Sequence, residues 1–243
     1  MQILVLSDIH ANYTALEAVL NDAGKVDAVW CLGDLVGYGP DPNLVIETLR
    51  TQPNLICLKG NHDAAVSSAM DTEAFNGDAR TSIHWQKMVL TDENMEFLRS
   101  LSPMTVQGDV TLAHGSPRDP LWEYVLNTLV ARINFEFFDT PLCFVGHSHI
   151  QSAYVLDAET HRIRPVIFHA GEVLSLDKGR WLLNPGSVGQ PRDRDPRAAY
   201  AIFDPQARTW EPRRVSYDVA AVQERIRKLG LPIKHALRLS EGW

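Results

Sequence analysis

Ile3-Leu4-Val5-Leu6-Ser7-Asp8-Ile9-His10 opens the chain with four apolar residues, then a polar run with a carboxylate and an imidazole one residue apart. The design recurs four times. Val29-Trp30-Cys31-Leu32 precedes Gly33-Asp34, and Leu55-Ile56-Cys57-Leu58 precedes Lys59-Gly60-Asn61-His62-Asp63. Val110-Thr111-Leu112-Ala113 precedes His114-Gly115, and Leu142-Cys143-Phe144-Val145 precedes Gly146-His147-Ser148-His149. Continuous apolar runs of this length predict strands buried on both faces. Ligands in open α/β sheets bind beyond the carboxyl ends of the strands, so the five polar loops are expected to converge on one edge.

Helices fill the gaps. Asn12 caps a helix with Leu16, Val19, Leu20 and Ala23 on one face, ending at Gly24. Asp41-Pro42 opens a second, with Val45, Ile46 and Leu49 apolar. A largely helical insert is expected from about residue 64 to 101. After Ile150 short alternating runs (Ala153–Leu156, Pro165–His169, Arg180–Leu183, Ala199–Phe203 and Thr209–Val215) point to an antiparallel sheet. A last helix, about residues 218–229, carries Val219, Val222, Ile226 and Leu229 and stops at Gly230. The expected architecture is one α/β domain over residues 1–243: two packed mixed β-sheets flanked by helices, in four α/β/β/α layers.

The bulk numbers bound the function. The 243 residues can build one sizeable core. A net charge of −7 argues against broad contact with nucleic acid or anionic membranes. Cys31, Cys57 and Cys143 are an odd number within strand-like runs and read as buried thiols, not a disulfide framework or metal ligands. With strand expected from Gln2 and no membrane-length apolar run, a cytoplasmic protein is expected.

The polar loops together offer carboxylates, imidazoles and one amide, a donor set suited to borderline divalent metals. The x of Asp8-x-His10 and of His147-x-His149 lets both side chains leave an extended segment on one side. Five blocks complete and in order from Asp8 to His149 resemble the calcineurin-like metallophosphoesterases, with the pattern of small bacterial and archaeal phosphodiesterase-type members. The resemblance implies two divalent ions, manganese first, with iron, zinc, nickel or cobalt as alternatives. One ion would take Asp8, His10, Asp34 and His149. The other would take Asp34, Asn61, His114 and His147, with Asp34 bridging. Such a pair sits roughly 3.5–4 Å apart and activates a hydroxide for in-line attack on phosphorus. His62 is then expected to stabilise charge on the phosphoryl group or protonate the leaving oxygen. Asp63 is expected to orient the His62 ring and favour its charged form. His84, His161, His169 and His235 match no block and read as ordinary core or surface residues.

Outside the blocks, Arg118 and Arg192 are candidates for a substrate phosphate, weighed equally against surface salt bridges. Arg192 lies in Pro185-Gly186-Ser187-Val188-Gly189-Gln190-Pro191-Arg192, which resembles a loop near the site of the smaller members. Tyr38 and Trp122 are candidates for stacking on a base. Relatives that act on phosphoproteins or split dinucleoside tetraphosphates symmetrically carry an arginine a few residues after Gly-Asp. Here that stretch is Leu35-Val36-Gly37-Tyr38-Gly39, and Lys59 holds a position that is arginine in the protein phosphatases. The substrate expected is a small anionic phosphate ester, a diester or nucleotide. The alternatives are a phosphomonoesterase or protein phosphatase, a dinucleoside polyphosphate hydrolase, and a non-enzymatic scaffold of the same fold. A scaffold should have lost ligands, and all seven positions are filled.

Overall fold

The computed structural model describes residues 1–68 and 70–243; Ala69, within the expected insert, lies outside the described residues. The first apolar run forms β1 (Ile3–Leu6). Its side chains alternate between two cores, Ile3 and Val5 in one, Leu4 and Leu6 in the other. Both faces are therefore covered, which is why the run has no polar position.

β2 (Ala28–Cys31) and β3 (Ile56–Cys57) follow in parallel, with Leu4 opposite Val29 and Cys31 opposite Cys57. The crossovers are α1 (Tyr13–Ala23) and α2 (Pro42–Arg50). Asn12 caps α1 by accepting the Ala15 N–H at 3.1 Å, and Gly24 ends it at φ 66°, a conformation open to glycine at little cost. Leu16 and Val19 of α1 and Val45, Ile46 and Leu49 of α2 are fully buried on the sheet, each worth roughly 1.5–3 kcal/mol. β3 departs from expectation: it is two residues long, half-buried and at a sheet edge, so only one neighbour holds it.

The insert is helical as expected but begins earlier, with α3 (Asn61–Ser67), then α4 (Gly77–Val89) and α5 (Asp92–Ser100). Beyond it run β4 (Met104–Gln107), β5 (Val110–Ala113), α6 (Thr128–Asn134), β6 (Leu142–Val145), β7 (Gln151–Leu156) and β8 (Ile163–Pro165). They are followed by β9 (Leu174–Ser175), β10 (Arg180–Pro185), β11 (Ala198–Asp204) and β12 (Thr209–Val215). Two helices close the chain, α7 (Val219–Lys228) and α8 (Ile233–Glu241).

The strands form two mixed six-stranded sheets, ordered β3-β2-β1-β11-β12-β9 and β4-β5-β6-β10-β7-β8. The later strands therefore do not make an antiparallel sheet of their own. β11 pairs antiparallel with β1 in the first sheet, while β10 pairs parallel with β6 in the second. The strand expected at Pro165–His169 lies earlier, at β8. Between the sheets pack Ile3, Val5 and Trp30 of one against Leu112, Phe144 and Leu183 of the other. On the outer face of the second sheet, Cys143, Val145 and Leu182 meet Ala131 and Phe135 of the α6 region. Cys31 and Cys143 are buried and Cys57 half-buried, and all three are free thiols. Among the described residues, no helix is long and apolar enough to cross a membrane.

Candidate metal centre

The five polar loops leave β1, β2, β3, β5 and β6 at one edge, where the two sheets meet. Backbone bonds tie them together: Asp8 N donates to Gly33 O at 3.0 Å, His10 N to Asp34 O at 2.9 Å, and Gly146 N to His114 O at 2.8 Å. These ties hold an unfavourable backbone. Asp8, His10, Asp34, His147 and His149 all sit at φ between 50° and 62°, the left-handed region that costs residues bearing a Cβ roughly 1–2 kcal/mol each. Gly60 serves a different need. Its φ is −88°, but a Cβ there would lie 2.0 Å from Asp34 Oδ1, so glycine is required for close approach of the carboxylate.

The donors form two buried clusters, Asp8-His10-Asp34-His149 and Asp34-His114-His147, each with one ligand atom per residue within 4.8 Å of the others. Asp34 belongs to both. Its Oδ2 lies 3.6 Å from His10 Nε2 and 3.5 Å from His114 Nε2. Asn61 joins the second cluster, with Oδ1 3.3 Å from His114 Nε2.

Backbone carbonyls set the histidine tautomers. Nδ1 of His10, His114 and His149 lies 2.9, 2.8 and 2.6 Å from the carbonyls of Val36, Leu32 and Gln190. A carbonyl only accepts, so each Nδ1 carries the hydrogen and Nε2 is a bare lone pair facing inward. His147 is reversed: Nε2 donates to Trp122 O at 3.2 Å, leaving Nδ1 unprotonated.

The consequence is a set of acceptors facing acceptors. His10 Nε2 and His149 Nε2 are 3.1 Å apart with no hydrogen between them, and Asp8 Oδ1 is buried without a hydrogen-bond partner among the described residues. Such contacts repel unless a cation lies among them, so the residues fit a divalent-metal pair. Burial also favours the neutral forms of Asp8, Asp34, His10, His147 and His149. It pushes the Asp8 carboxyl up to about 7 and, helped by the Asp63 charge, raises Asp34 well above the ordinary carboxylate range. It lowers His10, His147 and His149 well below the ordinary imidazole range.

His62 and Asp63 part company. Asp63 occupies the third position of α3, and its side chain turns back toward the helix start. It accepts the backbone N–H groups of Asp34, Leu35, Val36 and Gly60 at 2.8–3.1 Å. The expectation that it orients the His62 ring is not met; it orients the loop that carries Asp34. Nor is the charged form of His62 favoured, since burial and then the Arg192 charge hold it well below the usual range. His62 Nε2 lies 3.1 Å from the Tyr38 hydroxyl, and its Nδ1 has no hydrogen-bond partner among the described residues.

A cleft of about 100 Å³ opens on the centre, lined by Tyr38, His62, Phe75, Trp122, Tyr124 and Arg192 among others. Arg192 reaches Gln190 Oε1 at 3.2 Å and the Tyr38 hydroxyl at 3.4 Å. Arg118 is elsewhere, ion-paired with Glu123 and outside the cleft lining. Tyr38 is buried, not an open platform for a base, whereas Trp122 is half-buried at the cleft wall. Tyr124 stacks on His147 at 4.0 Å and 11°. Neither Tyr124 nor Phe75 was legible in the sequence, because each lies between blocks with no flanking signal.

Fold and donor set together define a metallophosphoesterase-type centre. Residues 1–208 match the calcineurin-like phosphoesterase superfamily domain, and the chain belongs to that family. A metallophosphoesterase from Sphaerobacter thermophilus is 46% identical with a TM-score of 0.92, covering 100% of this chain and 99% of that one. An uncharacterized protein of Methanocaldococcus jannaschii is 39% identical over 238 residues, 95% of this chain and 93% of its own length. The symmetrical bis(5'-nucleosyl)-tetraphosphatase of Erwinia tasmaniensis is 26% identical over 138 residues, 49% of this chain and 50% of that protein.

Proposed function

We propose that the chain hydrolyses small phosphodiesters with two divalent cations, manganese among the candidates. The observation that carries this reading is Asp34, whose single oxygen Oδ2 lies within 3.6 Å of ligand nitrogens from both clusters. When bound, the two cations would supply Lewis-acid polarisation of a phosphoryl oxygen and lower the pKa of a water. The chain's residues do the rest. Asp8, His10, Asp34 and His149 would hold one cation; Asp34, Asn61, His114 and His147 the other. The carbonyls of Val36, Leu32, Gln190 and Trp122 keep the imidazoles in the binding tautomer. Arg192 offers its guanidinium edge to a phosphoryl oxygen. His62, through Nε2 and the Tyr38 hydroxyl beside it, faces the leaving oxygen as a hydrogen-bonding group.

The preference for a diester follows from charge. Arg192 is the one arginine lining the cleft among the described residues, and Arg118 is committed to Glu123. A doubly charged monoester calls for more neutralisation than a singly charged diester, and a lone guanidinium supplies less of it. With Mn²⁺ supplied, kcat/KM for bis(p-nitrophenyl) phosphate is expected to exceed that for p-nitrophenyl phosphate. A clear preference for the monoester would overturn the diester reading.

A further inference from the structure

Tyr38 is gripped from behind by residues outside both ligand clusters. Its φ is 52°, and Gln86 of α4 brackets it. Gln86 Oε1 accepts the Gly37 N–H at 2.6 Å, and its Nε2 donates to Gly39 O at 3.1 Å. From α8, the buried His235 packs its ring against the Tyr38 ring, centroids 4.9 Å apart at 55°. His235 Nε2 donates to Asp78 O at 3.2 Å, and Lys234 Nζ lies 3.3 Å from Asp78 Oδ2. Asp78 is in the first turn of α4, so α4 and α8 are clasped together behind the same tyrosine.

Little room is left for that ring to move. The space between Tyr38, His235, Val222, Ile226 and Leu239 is about 10 Å³, at the lower limit of what a water needs. In front, the Tyr38 hydroxyl meets His62 Nε2 at 3.1 Å. The α7–α8 pair that supplies His235 lies beyond residues 1–208, the part matched by the family domain.

We propose that His235 is a positioning residue for His62: its ring fixes Tyr38, and the Tyr38 hydroxyl fixes the His62 imidazole. The kinetic part of the test rests on the phosphodiesterase reading; the spectroscopic part does not. In metal-free protein, the ring-nitrogen NMR signals of His62, assigned by their loss in His62→Gln, are expected to shift in His235→Gln. They are expected to stay in place in His235→Phe, which keeps a ring against Tyr38. A cooperative thermal transition shows that each variant is folded. In Mn²⁺-loaded protein with bis(p-nitrophenyl) phosphate, His235→Gln is expected to lower kcat on the order of tenfold with metal content unchanged, the size of effect a displaced catalytic group gives. The loss should vanish in a Tyr38→Phe background, where the link to His62 is already cut. Unmoved His62 signals in His235→Gln, or losses that simply multiply in the double variant, would overturn the inference. If no ester is hydrolysed by the wild-type protein, the proposed function fails and the NMR comparison still decides the positioning role.

Discussion

His62 and Asp63 are adjacent in sequence and serve different parts of the site, because helix α3 turns one side chain toward Tyr38 and the other back to the loop of Asp34. His62 lies beside the two clusters without belonging to either. His62→Gln is therefore expected to keep both ions and slow hydrolysis by roughly 10²–10⁴-fold, the range for losing a positioned acid–base group. The deficit should shrink for esters with good leaving groups, which need little protonation. An equal deficit across leaving groups would make His62 a charge stabiliser, and an unchanged rate would remove it from the reaction. The seven proposed ligand positions stand out in the sequence because each falls at the end of a strand-like run, and the fold brings six of them into the two clusters with Asn61 alongside. The partner of Asp63 was not legible, because a sequence does not say which way a side chain leaves the first turn of a helix. Arg118 and Arg192 looked equivalent for the same reason; the fold pairs one with Glu123 and aims the other into the cleft.

At the scale of elements, α8 illustrates what periodicity misses. It follows Gly230-Leu231-Pro232, a stop signal, and of its apolar residues Ile233 and Leu237 are exposed while only Ala236 and Leu239 are buried beside His235. Read alone, His235 is an unremarkable histidine; its partners come from α4 and the Tyr38 loop, more than 150 residues away in sequence. The two-residue β9 and the edge strand β4 are too short or too exposed to show a pattern. The pairing of β10 with β6 was likewise unreadable, since alternation marks a strand without naming its neighbour. Burial lowers the His235 imidazole from 6.5 to about 4. The folded state then binds its proton less readily than the unfolded state, so this group stabilises the fold above about 6.5 and the contribution is lost as pH falls toward 4. The full contribution is on the order of 3 kcal/mol. Wild type should lose more thermal stability than His235→Gln between pH 7 and pH 4. Parallel losses in the two proteins would mean that His235 is not held neutral by burial.

Across the whole molecule, two six-stranded sheets present their loops to a common edge, and the proposed metal centre depends on both. Asp8, His10, Asp34 and Asn61 come from the first sheet's loops, His114, His147 and His149 from the second's. Asp34 is where the two halves meet, with Oδ2 between His10 and His114 and Oδ1 accepting the His62 N–H at 2.9 Å. The acidic balance of −7 and the proposed anionic substrate are compatible because two dications would outweigh the Asp8 and Asp34 carboxylates locally. The most direct measurement is the metal content of wild type and Asp34→Asn, by elemental analysis after loading with Mn²⁺ and dialysis, with hydrolysis followed on the same samples. Two ions per chain are expected in the wild type, with both occupancies and the rate falling together in Asp34→Asn. Two ions and a near-normal rate in Asp34→Asn, or no more than one ion in the wild type, would contradict a centre built around one shared carboxylate.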